Sequence, residues 1–369
     1  MRLAHVRLLR FAWVLVMALP GALAVLLVIV AATWRGHLFG VTALGLVLMP
    51  LLPRRPALAL LVATALGVTV LALSVPTSRS GPDGAFAVTP VPNHALSLTT
   101  LLPEIDQLTL GSHLVAFADP YLTRESAARV RRLFLDVYRP MLEDPQFAAL
   151  PTQLGEAYAA ASTGQRFVYV PPHVAGERLP CVIFLHGSGG NFTGYLWVWK
   201  ALADALRFVV VAPGFGFGNW QQPGGVEAVE AARQYAIDSL PVDSARVVLA
   251  GLSNGGRGVM RTIEANGRAY RAVVLISAVV DVDPTPVLWR DRSVLLLHGL
   301  KDDRISEKWF RLAESALREA GARLTVHTDP EEDHFLIFSR RDEFAAWVLP
   351  FLRSEAGFDA EHGNREPDR

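Results

Sequence analysis

The sequence predicts an α/β domain with a mostly parallel central sheet, preceded by N-terminal transmembrane helices. Two observations predict it. From Gln165 onward, short runs rich in Val, Ile and Phe alternate with segments of helical period. Strands buried on both faces read as continuous apolar runs, and helices between them imply parallel strands covered on two sides. Ahead of that region lie three long stretches without charge, which raise the hydrophobic share of the 369 residues to 51%.

Those stretches are Phe11 to Trp34, Leu38 to Leu52 and Ala57 to Val75. The leader "MRLAHVRLLR" and the "ALA" at Ala22 to Ala24 resemble a cleavable signal. The apolar run nevertheless continues through Val30, long enough for a bilayer that needs about 20 residues. The third stretch is similar. The second is marginal, about 25 Å at 1.5 Å per residue against a hydrocarbon core of roughly 30 Å. Arginine placement decides. With three spans and the N-terminus inside, Arg2, Arg7, Arg10, Arg54 and Arg55 face the cytoplasm and only Arg35 and Arg79 lie outside, as the positive-inside bias requires. Residues 1–75 are therefore expected to be a membrane region of three helices, with the C-terminal domain on the extracytoplasmic side.

"PTSRSGPDG", Pro76 to Gly84, is rich in turn residues and reads as a linker, 76–84. Residues 85–164 form a helical connecting segment. Its clearest feature is Thr123 to Leu142, where Val130, Leu133, Phe134, Val137 and Met141 recur at helical spacing behind Thr123 as N-cap. A docked helix explains it better than a lid. The strand runs of the main domain, 165–354, are Arg166–Val170, Cys181–Leu185, Phe208–Ala212, Val247–Ala250, Ala272–Ser277, Val294–His298 and Arg323–Thr328. Helical patterns fall near Trp197–Leu206, Val226–Leu240, Gly255–Ala265 and Ser306–Ala320. The polar end, 355–369, reads as a disordered tail.

Formal net charge is zero and no basic block follows the apolar region, which excludes an electrostatic case for nucleic acid. The single cysteine, Cys181, allows no intrachain disulfide and no multi-cysteine zinc cluster. It lies in "CVIFL", where a buried structural thiol is expected.

The chemistry gathers around "VVLAGLSNGG". A strand ends, a helical pattern begins, and Ser253 stands between with Gly251 and Gly255 on either side, the context of a nucleophile elbow. A serine hydroxyl needs a base, and the base an orienting acid. "LLLHGLKDDRIS" places Asp302 after a strand and "TDPEEDHFL" places His334 after the last one. The order Ser, Asp, His is the one this architecture uses. "FLHGSGGNF" supplies a glycine-rich loop after an earlier strand, so that the backbone N–H of Ser188, or of Gly187, converges with that of Asn254 on an oxyanion.

Together these pieces resemble the α/β-hydrolase superfamily over roughly Gln165 to Phe351. The likeness is to esterases of the dienelactone hydrolase and polyhydroxyalkanoate depolymerase type and to the catalytic domain of prolyl oligopeptidase-like enzymes. It implies Ser253 as nucleophile, His334 as general base and Asp302 as its acid. "KDDRI" is similar to the acid loop of the oligopeptidase group, which leaves Asp303 structural and Arg304 near the substrate. About eighty residues between linker and domain cannot form a β-propeller, so oligopeptide gating is not expected.

Other residues compete for these roles. Asp281 and Asp283 follow a different strand and offer an alternative acid. His327 lies within a strand, and His298 and His186 end theirs. Glu331, Glu332 and Asp333 crowd His334 and read as solvated charge rather than metal ligands. "GFGFGNW", Gly214 to Trp220, follows a strand but has Asn219 where a dinucleotide fingerprint needs its third glycine, and no helix opens there. No cofactor is expected. That loop is read as a pocket wall, with Phe215, Phe217 and Trp220 as apolar surface.

The expected function is a membrane-anchored serine hydrolase acting on a small-molecule or lipid ester. A serine peptidase or acyltransferase with the same triad is the alternative among enzymes. Outside that class, a non-catalytic hydrolase-like binding module remains, while uncharged spans speak against a transporter.

Overall fold

Three apolar helices open the chain in the computed structural model, which describes residues 2–75, 86–88, 101–118, 123–148, 150, 152, 154–157, 164–280 and 283–358. The expected linker 76–84, the end of the tail from 359 and parts of the segment 85–164 lie outside the described residues.

Helices α1 (Arg2–Val30), α2 (Trp34–Leu48) and α3 (Arg54–Leu73) correspond to the three apolar stretches. Each contains a window long and apolar enough to cross a membrane: Ala12–Val30, Trp34–Leu51 and Arg54–Leu73. With the turn that follows it, the second helical span is longer than its uncharged stretch. It starts at Trp34 because Thr33 caps it, the Thr33 hydroxyl accepting from the Gly36 N–H at 3.1 Å, and a 3₁₀ turn extends it to Leu51. The resulting 18 residues rise about 27 Å.

The chain divides into two compact units. One joins Met1–Pro76 to Asn93–Asp136, and the other joins Thr77–Pro92 to Val137–Arg369. The segment read as a single connector is thus shared between them. In the first unit, α4 (Glu104–Ala118) carries Asp106, whose fully buried carboxylate accepts the N–H groups of Ala32 at 2.6 Å and Thr33 at 3.1 Å and the Thr33 hydroxyl at 2.5 Å. The carboxylate rests against Gly36, where any side chain would collide with it. Helix α5 (Arg124–Glu143) follows the expected pattern. Thr123 caps it through the Ser126 N–H, and Val130, Phe134, Val137 and Met141 are buried while Arg132 and Arg139 are exposed.

The second unit is built on an eight-stranded sheet of order β1-β2-β4-β3-β5-β6-β7-β8. The strands are β1 (Phe86–Val88), β2 (Arg166–Tyr169), β3 (Leu179–Leu185), β4 (Val209–Pro213), β5 (Val242–Leu252), β6 (Ala272–Ile276), β7 (Ser293–Gly299) and β8 (Arg323–Asp329). β2 runs antiparallel to both neighbours, and all pairs from β4 to β8 are parallel. β3 and β7 are buried at every residue, as apolar runs covered on both faces require, while β8 forms the half-exposed edge. Helices α6 (Thr193–Leu206), α7 (Gly225–Ser239), α8 (Gly255–Asn266) and α9 (Glu307–Glu319) match the expected patterns within a few residues. A further helix, α10 (Arg341–Ser354), buries Phe344, Val348, Phe351 and Leu352. Beyond it the chain stays packed to Phe358, whose ring lies 5.4 Å from Phe208, so the beginning of the expected tail belongs to the core. This architecture, with Ser253 at the end of β5 and the acid and histidine loops after β7 and β8, is the α/β-hydrolase fold.

Candidate active site

Parallel strands deliver their loops to one edge, and the candidate residues lie there. Ser253 follows β5 with φ 53°, a left-handed conformation unusual for a residue with a side chain. Its flanking glycines are needed because a Cβ on Gly251 would come 2.6 Å from the Gly255 carbonyl oxygen, and one on Gly255 would enter the Leu185 carbonyl. The strained residue is held from three directions. Its N–H donates to Ile276 at 3.0 Å, and its carbonyl accepts the N–H groups of Gly256 and Val279, both at 2.9 Å. Its hydroxyl has no hydrogen-bond partner among the described residues, and helix α8 opens just after it with the positive end of its dipole.

Asp302 and His334 meet across the loops after β7 and β8. His334 Nδ1 lies 2.7 Å from Asp302 Oδ2. A carboxylate only accepts, so Nδ1 carries the proton, and in the neutral ring it is Nε2 that keeps a lone pair. The other oxygen of Asp302 accepts the N–H groups of Arg304 at 2.8 Å and Ile305 at 2.9 Å. Burial of Asp302 works to raise its pKa, but the His334 and Ile305 hydrogen bonds and the histidine's charge hold it below the ordinary carboxylate value. Asp302 is thus an ionised anchor that fixes ring and tautomer. The hydrogen bond from Ser253 to His334 is not formed in this structure, and such contacts tighten when substrate binds.

The loop after β3 approaches the serine closely: a Cβ on Gly187 would lie 3.0 Å from Ser253 Cβ. Ser188 is exposed, and its hydroxyl accepts from Asn254 Nδ2 at 2.6 Å, tying the two loops that carry the oxyanion candidates. Behind them stands His186, fully buried. Its Nε2 accepts the Phe215 N–H at 3.1 Å, so its Nδ1, 2.8 Å from the Gly187 carbonyl, carries the proton and donates. Burial pushes its pKa down to about 4 against the opposing effect of that carbonyl, which keeps the ring neutral. Trp220 Nε1 donates to the His186 carbonyl at 2.8 Å, and Gly189 N–H donates to the Phe217 carbonyl at 3.0 Å.

The "GFGFGNW" loop therefore buttresses the oxyanion loop. Phe215 and Trp220 stack at 5.2 Å inside the hydrophobic core and offer no surface to a ligand. Phe217, by contrast, is 53% exposed. Sequence reasoning missed this buttress because an aromatic residue in a loop looks the same whether it faces a cavity or a core.

Among the competing residues, Asp281 lies outside the described residues and Asp283 is exposed. His327 stacks on Trp347 at 5.4 Å and His298 on Phe310 at 4.5 Å, and burial lowers the pKa of both. Asp303 is exposed, and the Arg304 guanidinium lies 5.8 Å from the Phe335 ring beside His334. Glu331 is solvated and pairs with Lys301, but Glu332 is buried, contrary to its reading as surface charge.

No family model matches the sequence. Solved structures with similar folds include a thermostable esterase at 21% identity, covering 50% of this chain and 58% of that one with a TM-score of 0.44. An esterase from Pyrobaculum calidifontis matches at 20% identity over 55% of this chain and 89% of its own, TM-score 0.45. An S-formylglutathione hydrolase from Agrobacterium tumefaciens matches at 20% identity over 51% and 90%, TM-score 0.42. Likeness this distant carries no functional weight.

Proposed function

We propose that the protein is a membrane-anchored serine hydrolase that cleaves carboxylic esters through an acyl-enzyme on Ser253. The observation that carries this reading is the strained Ser253, with its hydroxyl unengaged, on the same strand-end edge as a buried Asp302–His334 pair. Backbone strain held by surrounding hydrogen bonds is characteristic of reacting residues. In the proposed reaction His334 Nε2 removes the Ser253 proton as Oγ attacks the ester carbonyl. The resulting oxyanion is met by the N–H groups of Asn254 and of Gly187 or Ser188. Collapse expels the alcohol, which takes the proton from His334. Water then enters by the same route in reverse and releases the acid.

Anchoring is supported by the three apolar helices. Asp106, which follows α3, bonds to Ala32 and Thr33 in the turn between α1 and α2. The start of α4 therefore meets the turn between α1 and α2, as expected if the chain after α3 emerges on the side of that turn. With the arginine distribution, this favours an extracytoplasmic catalytic domain.

The test is hydrolysis of nitrophenyl esters of increasing chain length by the full-length protein in micelles, with Ser253→Ala as control. Loss of at least about 10³-fold in kcat is expected. Equal turnover by both folded proteins would remove the hydrolase reading and favour a binding module.

A further inference from the structure

A general base must be held within a fraction of an ångström to be effective, yet His334 sits on a loop at the open edge of the sheet. Part of the restraint is backbone. Leu300 N–H donates to the Asp329 carbonyl at 2.8 Å and Lys301 N–H to the Glu332 carbonyl at 2.9 Å, joining the acid loop to the histidine loop. Gly299 permits this approach, since a Cβ there would come 2.5 Å from the Asp333 carbonyl oxygen.

The rest comes from one cation. Arg340 Nε lies within ion-pair range of two carboxylates without hydrogen-bonding either, 3.2 Å from Asp329 Oδ2, at the end of β8, and 3.1 Å from Glu332 Oε1, two residues before His334. Its Nη1 reaches Glu343 Oε1 on α10 at 3.6 Å. Glu332 is further fixed by the Ser339 hydroxyl, which donates to its Oε2 at 2.5 Å. The carboxylate side chains are 14% exposed at Asp329 and 10% at Glu332 while Arg340 is 36% exposed, so the pairs are part-screened and their effect is on geometry rather than on overall stability. A guanidinium set between the strand end and the loop, and tied to the following helix, closes the loop at the base of the histidine.

We propose that Arg340, through Glu332 and Asp329, is a positioning residue that holds His334 in line with Ser253. The proposal rests on His334 being the general base. It makes Glu332 part of the site's scaffold and explains a buried charge beside the histidine.

The test uses the full-length protein in micelles with Arg340→Ala, Arg340→Lys, Glu332→Gln and Ser339→Ala. Nitrophenyl ester kinetics and backbone hydrogen exchange are measured together. For Arg340→Ala, kcat is expected to fall roughly 10- to 100-fold with KM held within about twofold, and Arg340→Lys to recover part of it. Exchange should quicken in 299–305 and 329–335 while α8 keeps its protection. In a His334→Ala background, Arg340→Ala should change the residual rate by less than about twofold, because the clamp acts only through the base. Unchanged exchange, or loosened loops with kcat intact, would overturn the proposal, as would an equal loss with and without His334. If Arg340→Ala does not fold, Glu332→Gln and Ser339→Ala carry the same expectations with smaller losses. Turnover independent of Ser253 would instead sink the hydrolase reading, while exchange still decides whether Arg340 holds the loop.

Discussion

Ser253 occupies φ 53° with a side chain attached, at a cost of order 1–3 kcal/mol that the surrounding structure has to offset. Glycine adopts this conformation without that strain, so Ser253→Gly should melt at a higher temperature than Ser253→Ala although both lose turnover. Equal melting temperatures would contradict the strain. His186 supplies a pH signature. Its folded pKa of about 4 lies below the ordinary 6.5, so the unfolded chain binds this proton first as pH falls. Stability should therefore drop between pH 6.5 and 4, by on the order of 3 kcal/mol in total. Denaturant midpoints at both ends of that window check it: the wild-type slope should exceed that of His186→Gln, and identical slopes would refute it. Ser253, Asp302 and His334 were legible because an elbow is a local motif and the order of its partners follows the strands. Arg340 and Glu332 were not, since an ion pair folded back over a short loop leaves no period in a sequence.

Among the elements, α4 is held at the α1–α2 turn through the Asp106 carboxylate. Asp106→Ala would leave the N–H groups of Ala32 and Thr33 without their acceptor, a loss of about 1–3 kcal/mol for each group that stays buried. Thermal melts in micelles should show a clear fall, smaller for Asp106→Asn, whose side-chain oxygen still accepts; an unchanged melt would mean that α4 is not latched there. The strands were read nearly residue for residue where they are continuous and apolar. β5 was read short because it begins with the half-exposed residues of "VDSARV", and β1 was not read at all because it is a three-residue edge. α4 escaped because "EIDQLTLGSHLVAFA" has no clean apolar stripe. α10 did carry one, in Phe344, Val348, Phe351 and Leu352.

For the whole molecule, the proposed three crossings would place everything after α3 opposite the N-terminus. A reporter fused after Gly84 that works only outside the cytoplasm should be active, and a cytoplasmic reporter at the same point should be silent; the reverse pattern would contradict the assigned side. The architecture of the second unit was legible from its alternation of buried runs and helical patterns. The division of the chain was not, because the bond that ties α4 to the first unit joins residues more than seventy positions apart. The central claim is that Ser253 is a nucleophile served by His334. It is tested most directly by reacting the full-length protein with an organophosphonate ester probe and locating the adduct by peptide mass spectrometry. The account predicts one adduct, on Ser253, absent in Ser253→Ala and formed far more slowly in His334→Ala. Labelling at another residue, or none by a folded protein, would contradict it.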